Sequence, residues 1–166
     1  MKNSSENIRQ AYSEAVDMSK NHYENFPVIS FLIPRKKRND VAVIYKFARM
    51  ADDIADEGYE DPDIRTKKLE AFEDYLLRAV NGDYESVFWE ALSKSVHNLS
   101  LSPENLFNLL KAFKQDVVKK RYENYESLQD YCRLSANPVG RLILEVFGIR
   151  DNSAFGLSDK ICTGLQ

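Results

Sequence analysis

The sequence predicts an all-α bundle. Apolar residues recur at helical spacing through most of the chain, and no stretch sustains the alternation of apolar and polar residues that marks a strand. Capping residues and prolines divide these periodic stretches into separate helices. With 166 residues, 43% of them hydrophobic and 11% aromatic, the chain is long enough for one domain with a core.

Charge and cysteine content argue against several classes of protein. Lys and Arg total 23 against 26 acidic residues, and a net charge of −3 gives no support to nucleic-acid binding. Cys132 and Cys162 are far apart and lack the spacing of a zinc site or a disulfide framework. No apolar run approaches the roughly 18 residues of a membrane span, and residues 1–7 lack the apolar core of a signal peptide. We therefore expect a cytoplasmic protein that is soluble or peripheral to a membrane.

The first helix is predicted from Glu6 to about Asn21, where apolar residues recur at helical spacing. Three candidate N-caps precede it, namely Asn3, Ser4 and Ser5. His22 falls at its end, and a lone histidine there is commonly a packed or capping residue.

The segment before the central helix is predicted to be partly irregular. Residues 26–34 hold two prolines and a Phe-Leu-Ile run too short and interrupted for a helix that stands alone. The basic run from Pro34 to Arg38 is compatible with a solvated helix start or with attraction to an anionic lipid or a diphosphate, and more weakly with a nuclear signal.

The central helix is predicted from about Arg35 to Glu57, with Gly58 as a favoured C-cap residue. Its apolar stripe must face a core and contains Val41, Ile44, Ala48, Ala51 and Ala55. A polar stripe lies at the boundary of the apolar one and contains Arg38, Tyr45, Arg49, Asp52 and Asp56. Asp53 points elsewhere.

Asp52 and Asp56 are predicted to hold a cation. Two carboxylates one turn apart repel each other, and the C-terminal end of a helix disfavours negative charge, so a cation would relieve both effects. Oxygen ligands suit Mg²⁺, which is usually held by one or two carboxylates plus substrate phosphates. The alternative is a solvated acidic helix end, since charged rows are common on helix surfaces.

Capping residues and prolines predict where the next two helices begin. Asp61 followed by Pro62 opens a helix whose apolar face continues to Asn81. A shorter helix is predicted over residues 84–98, in which we assign Trp89 and His97 to packing.

A further helix is predicted to begin at its cap Ser102 and to end near the basic run 119–121, which complements the helix dipole. Within it, Asp116 and Lys120 are expected to form an exposed pair.

Ser127 is predicted to open a helix that Pro138 and Gly140 kink or interrupt before it resumes and ends at Gly148. The sequence is equally compatible with two forms of this interruption. One is a break that brings the backbone close to a cavity, and the other is a kink that only follows the shape of the core. Ser158 is predicted to open the last helix.

The run from Tyr45 to Glu57 resembles the first aspartate-rich motif of the squalene and phytoene synthases. The resemblance also includes 22–28, 131–141 and Leu165-Gln166, and so covers nearly the whole chain. It implies an isoprenoid-synthase-type helical bundle in which Mg²⁺, held by two facing aspartate-rich motifs, binds and ionises an isoprenoid diphosphate. The second motif follows the Leu-Gln pair in that family, so we expect residues 1–166 to be the N-terminal portion of a single domain.

The resemblance also implies roles for individual residues. Metal binding is assigned to Asp52 and Asp56, and catalytic roles are assigned to Tyr131, Tyr45 and Arg49. Substrate binding is assigned to His22, Asn25, Phe26, Arg38, Arg49, Arg133, Asn137 and Gln166.

Within the family, the segments 22–27 and 135–141 are most similar to the bacterial hydroxysqualene synthases of hopanoid biosynthesis, which ionise presqualene diphosphate and add water. The polar Ser135 and Asn137 are suited to positioning that water. The alternatives are a sister squalene or phytoene synthase and a helical binding module without catalysis. A di-iron bundle is excluded because neither His22 nor His97 has a Glu three residues before it.

Without a second aspartate-rich motif, the chain alone is expected not to turn over, because Mg²⁺ would be held from one side of the cavity only. We also expect it to expose apolar faces and to self-associate. The faces in question include Leu142, Ile143, Val146 and Phe147.

Overall fold

The computed structural model describes residues 2–21, 33–56 and 60–166, which form eight α-helices and no strand. They are α1 (Lys2–Asn21), α2 (Arg35–Asp56), α3 (Pro62–Val80), α4 (Val87–Leu99), α5 (Pro103–Val118), α6 (Tyr125–Ser135), α7 (Asn137–Val146) and α8 (Asn152–Leu165). The predicted all-α class is confirmed. None of these helices is both long and apolar enough to span a bilayer.

Helix α2 lies at the centre of the bundle and packs against α1, α3, α4, α5 and α7. Its buried residues are Val41, Ala42, Val43, Ile44, Phe47, Ala51 and Ala55. The predicted apolar stripe is confirmed except that Ala48 is only half-buried. The predicted C-cap Gly58 and the predicted last residue Glu57 lie outside the part of the chain that the structure describes.

Aromatic side chains fill the core between α2, α3 and α4. The ring of Phe72 lies 5.5 Å from that of Phe47 and 4.9 Å from that of Trp89, measured between centroids. The predicted packing role of Trp89 is therefore confirmed. The same prediction is wrong for His97, which is exposed near the end of α4, where its Nδ1 lies 2.7 Å from the Ser93 carbonyl oxygen.

Two helices begin earlier than predicted, because more than one polar residue near each start can serve as a cap. Helix α6 begins at Tyr125, since Asn124 Oδ1 accepts a hydrogen bond from the Ser127 N–H at 2.8 Å. Helix α8 begins at Asn152, where Asp151 caps it, so Ser158 lies within the helix.

Two other predicted starts differ from the structure, whereas the predicted start of α5 is confirmed. Helix α1 already begins at Lys2, and α4 begins at Val87 after its cap Ser86. Ser102 holds the N-cap position of α5, but its side chain makes no capping bond to that helix.

The predicted interruption near Pro138 is confirmed. Helix α6 ends at Ser135, and Pro138 lies in the first turn of α7. Both Leu142 and Val146 are fully buried. The expectation that they would be exposed is wrong, because α7 packs against α2 and α5.

Candidate functional site

A cavity of about 470 Å³ lies where the C-terminal ends of α2 and α5 meet α6 and the last residue of the chain. We call it the carboxylate cavity. Its lining residues are Asp52, Asp56, Phe113, Asp116, Lys119, Lys120, Tyr122, Tyr131, Ser135 and Gln166. Its volume is within the range of about 300–1,000 Å³ typical of ligand pockets.

Asp52 and Asp56 lie one turn apart at the end of α2 and both line this cavity. Burial and the charge of Asp56 raise the pKa of Asp52 above its ordinary value, while Arg49 opposes the shift. No basic residue lies in the last turn of α2 itself to offset the helix dipole there. The fold thus keeps the two carboxylates close to each other although their negative charges repel.

Arg49 forms ion pairs with both Asp52 and Asp53 on α2. Its guanidinium lies 3.3 Å from Asp52 Oδ2 and 2.7 Å from Asp53 Oδ1. Asp53 does not line the carboxylate cavity, in agreement with the prediction that it points away from the stripe. Arg49 therefore supports Asp52 from outside the cavity.

Arg65 on α3 contacts the same helix end. Its Nη1 donates a hydrogen bond to the carbonyl oxygen of Ala55. This carbonyl belongs to the last turn of α2, whose carbonyls lack partners within the helix. Arg65 therefore anchors the turn that carries Asp56.

Asp116 on α5 is a third carboxylate of the cavity, and sequence reasoning missed it. The Tyr131 hydroxyl donates a hydrogen bond to Asp116 Oδ2 at 2.8 Å. Burial raises the pKa of Asp116 and the charge of Asp56 adds to the rise, whereas the Tyr131 bond opposes it. The expected exposed pair with Lys120 is wrong, since Lys120 Nζ instead donates to the Asp116 backbone carbonyl at 2.9 Å.

Tyr122 and Tyr131 form an aromatic side of the cavity. Their ring centroids are 5.0 Å apart, and the Tyr122 hydroxyl donates to Gln115 Oε1 at 3.1 Å. Burial and the charge of Asp116 raise the pKa of Tyr122 to about 12, and burial with the Asp116 bond also raises the pKa of Tyr131. Both phenols are therefore neutral at physiological pH.

Lys119 and Lys120 bring positive charge to the cavity. Helix α5 ends at Val118, so these lysines lie just beyond it, and the predicted end near the basic run is confirmed. Lys119 Nζ lies 4.3 Å from the centroid of the Tyr122 ring, a distance typical of a cation–π contact. The cavity thus has two lysines as well as the carboxylates of α2 among its lining residues.

Several predicted site residues lie elsewhere. Arg38 Nε donates to the Ile33 carbonyl at 2.9 Å, and neither Arg38 nor Tyr45 lines the carboxylate cavity. The predicted substrate-binding residues His22, Asn25 and Phe26 lie outside the described ranges. Gln166 does line the carboxylate cavity.

Arg133 and Asn137 line a different groove, of about 580 Å³, formed by α6, α7 and α8. Arg133 pairs with Asp130 at 2.5 Å, and Asn137 Oδ1 accepts a hydrogen bond from Thr163 at 3.0 Å. The structure therefore does not bring these two residues together with Asp52 and Asp56.

Gly140 allows α7 to approach α8 closely. A Cβ atom at this position would lie 2.3 Å from Ser158 Oγ and 2.5 Å from Cys162 Sγ. The backbone break predicted near this residue thus serves helix packing, while the neighbouring Ser135 lines the carboxylate cavity.

Asp52 and Asp56 fit a magnesium ion by their chemistry. Carboxylate oxygens are suitable ligands, and a cation would relieve the repulsion from Asp56, which adds to burial in raising the pKa of Asp52. Among the residues that the structure describes, no three His, Cys, Asp or Glu side chains form a metal-holding group. Two carboxylates lining one cavity suit an ion that takes its remaining ligands from water and phosphate.

The chain matches a protein-family model and is similar in sequence to several relatives. The squalene/phytoene synthase family model matches residues 19–166. A hydroxysqualene synthase of Sinorhizobium fredii is 40% identical over 143 residues, which are 86% of this chain and 48% of that protein. A hydroxysqualene synthase of Rhodopseudomonas palustris is 38% identical over the same shares of both chains.

The fold is similar to that of a solved structure. The crystal structure of squalene synthase HpnC from Alicyclobacillus acidocaldarius matches with a TM-score of 0.87 and 38% identity, over 96% of this chain and 59% of that chain. The chain spans about half the length of the curated relatives it matches.

Proposed function

The chain belongs to the squalene/phytoene synthase family, and we propose on that basis that it forms the first half of a Mg²⁺-dependent enzyme that ionises a prenyl diphosphate. Presqualene diphosphate is the proposed substrate, and capture of water would give hydroxysqualene and diphosphate. The names of the two bacterial relatives support this choice.

The observation that carries the proposal is the composition of the carboxylate cavity. Asp52 and Asp56 lie together with Lys119 and Lys120, so one cavity holds groups for a divalent cation and groups for an anion. The leaving diphosphate develops negative charge, and positive groups fixed beside it stabilise the transition state. A solvated acidic helix end would not require lysines from another part of the chain.

Asp52 and Asp56 would hold the magnesium ion, whose chemistry is to neutralise charge on the departing diphosphate. Lys119 and Lys120 would bind the outer diphosphate oxygens. The aromatic side chains Phe113, Tyr122 and Tyr131 would exclude bulk solvent and face the hydrocarbon chain, where their π-electrons would stabilise a carbocation.

Ser135 is the residue best placed to hold the attacking water. It lines the carboxylate cavity one turn after Tyr131, and its hydroxyl donates to the Tyr131 backbone carbonyl at 3.1 Å. A hydroxyl so engaged keeps its lone pairs free to accept a hydrogen bond from water. Asn137, the other predicted water-positioning residue, lies in the groove formed by α6, α7 and α8.

A squalene synthase is the second candidate. The name of the solved structure from Alicyclobacillus acidocaldarius favours it, at an identity close to that of the two hydroxysqualene synthases. Both candidates ionise a prenyl diphosphate, so the carboxylate cavity serves either one.

Product analysis tests the proposal. A version of the chain extended past Gln166 to the length of its relatives is incubated with presqualene diphosphate, Mg²⁺ and a nicotinamide hydride donor, which squalene formation would require, in water enriched in heavy oxygen. We expect hydroxysqualene that carries the label in mass spectrometry. Unlabelled squalene, or conversion of farnesyl or geranylgeranyl diphosphate alone, would assign the chain to a sister enzyme. The 166-residue chain, run in parallel at high concentration, is expected to give no product.

A further inference from the structure

The hydrogen bond between Tyr131 and Asp116 has a definite direction. An ionised carboxylate can only accept hydrogen bonds, whereas a phenol has one proton to donate. The 2.8 Å bond between Tyr131 Oη and Asp116 Oδ2 therefore uses the only proton of the phenol. Tyr131 keeps its oxygen lone pairs for any ligand in the carboxylate cavity, which both residues line.

We propose that Asp116 is the positioning residue of Tyr131, which it holds so that the phenol presents oxygen lone pairs, and no O–H group, to a ligand of the carboxylate cavity. This inference rests on the function proposed above. It goes beyond that function because it assigns a task to Asp116 and restricts the partners of Tyr131.

Contacts on both sides hold this pair in place. The Tyr122 ring packs 5.0 Å from the Tyr131 ring, and Tyr122 is itself bonded to Gln115, the residue before Asp116. Lys120 Nζ donates to the backbone carbonyl of Asp116 at 2.9 Å. Asp116 is therefore fixed at its backbone and at its carboxylate, and Tyr131 at its ring and at its hydroxyl.

The direction of the bond decides what Tyr131 can bind. Diphosphate oxygens only accept hydrogen bonds, so a phenol without a proton to donate cannot bind them. A water molecule can donate to the phenol oxygen, and a developing carbocation is attracted by the partial negative charge of that oxygen. We therefore assign Tyr131 to the water and hydrocarbon side of the site, with Lys119 and Lys120 on the diphosphate side.

The first test reads the hydrogen bond directly in the 166-residue chain. Tyrosines labelled with carbon-13 at ring Cζ give an NMR signal that responds to hydrogen bonding, and Tyr131→Phe identifies the Tyr131 signal by its loss. Asp116→Leu should move that signal, and Asp116→Asn should move it less because the amide oxygen still accepts. Asp74→Asn, an exposed position on α3, is the matched control.

The Tyr122 signal separates a local effect from a general loosening of the fold. Its hydroxyl donates to Gln115, so Asp116→Asn should leave that bond in place. An unchanged Tyr131 signal in Asp116→Leu, or equal changes at both tyrosines in Asp116→Asn, would overturn the proposal.

The second test measures binding of inorganic diphosphate with Mg²⁺ by titration calorimetry. Asp116→Asn should bind no more weakly than wild type, and Tyr131→Phe should bind within about twofold of it. A loss of about tenfold in either variant would overturn the proposal, because that residue would then bind the metal or the diphosphate. If Asp52→Asn does not change the affinity for diphosphate and Mg²⁺, the proposed function is wrong. The NMR signal of Tyr131 would still show whether Asp116 positions Tyr131.

Discussion

The Glu145 carboxylate on α7 accepts two hydrogen bonds from Ser102, one from its backbone N–H at 2.9 Å and one from its hydroxyl at 2.5 Å. Glu145 is only 3% exposed. Ser102 directly precedes α5, where the helix dipole favours negative charge. This pair therefore fixes the start of the helix whose other end carries Asp116.

Glu145→Ala should lower the free energy of unfolding by about 3 kcal/mol, because it removes a charged acceptor from two Ser102 donors and leaves a cavity. Urea unfolding followed by circular dichroism measures the loss. Glu70→Ala, an exposed position on α3, is the control and should change stability by less than about 0.5 kcal/mol. Equal effects of the two substitutions would contradict a stabilising role for the pair.

Asp52→Asn should weaken Mg²⁺-dependent binding of diphosphate by about tenfold, because it removes one of two adjacent metal ligands. Asp53→Asn should have a much smaller effect, since Asp53 contacts Arg49 and does not line the carboxylate cavity. Titration calorimetry of both variants provides the comparison. Equal losses of diphosphate binding in the two variants would contradict the inference that only the carboxylates of the polar stripe bind the metal.

Gly140→Ala should destabilise the chain by about 1–3 kcal/mol, since the added methyl group would overlap Ser158 and Cys162 and push α8 away from α7. Gly156→Ala is the matched control on α8, because a Cβ atom there meets nothing within 4 Å. That control should be neutral or stabilising by up to about 1 kcal/mol. Thermal unfolding of both variants tests whether Gly140→Ala lowers the melting temperature and Gly156→Ala does not.

Asp52 should make the ligand-free chain less stable as pH rises. Burial and the charge of Asp56 raise its pKa above the ordinary 3.8, so the folded chain binds the proton more tightly than the unfolded chain. Linkage then requires the free energy of unfolding to fall as pH rises from the unfolded pKa through the folded pKa.

The melting temperature of Asp52→Asn, relative to wild type, should therefore be higher at about pH 7 than at about pH 4. Asp74→Asn serves as the exposed control. Mg²⁺ with diphosphate should reduce the difference at neutral pH, because a cation relieves the repulsion. A difference that does not vary with pH would mean that Asp52 titrates alike in both states.

Helix α8 carries an exposed apolar stripe. Leu157 and Ile161 are each 62% exposed and Leu165 is 83% exposed. We expect two copies of the 166-residue chain to associate through this stripe. Leu157→Glu combined with Ile161→Glu should shift sedimentation towards the monomer, whereas Leu77→Glu, at a 50% exposed position on α3, should not. A wild-type chain that stays monomeric at high concentration would disprove this.

The features that could be predicted from sequence depend on neighbours along the chain. The stripe of α2 follows from helical spacing alone, and Pro62 and Pro103 mark helix starts because proline is tolerated in the first turn. The family was also recognisable, since its aspartate-rich motif is contiguous. Ser127 and Ser158 were wrong starts because Asn124 and Asp151, which come earlier in the chain, cap these helices.

Asp116 was missed for a different reason. Phe113 and Asp116 share one face of α5, but their spacing does not reveal which helix this face meets. The bond to Tyr131 crosses from α5 to α6, and the charge of Asp56 reaches Asp116 from α2. Arg133 and Asn137 are the opposite case. The family motif assigned them to substrate binding, whereas in the structure they line a groove beside α8.

Arg65 determines whether the last turn of α2 loses its conformational entropy during folding or during ligand binding. Without the bond to the Ala55 carbonyl, this helix end would fray, and an arriving ligand would have to order it. Each residue ordered at that moment would subtract about 1–2 kcal/mol from the binding free energy. Because Arg65 orders the turn during folding, the ligand meets Asp56 on a preorganised backbone, and the entropy loss falls on folding instead of on binding.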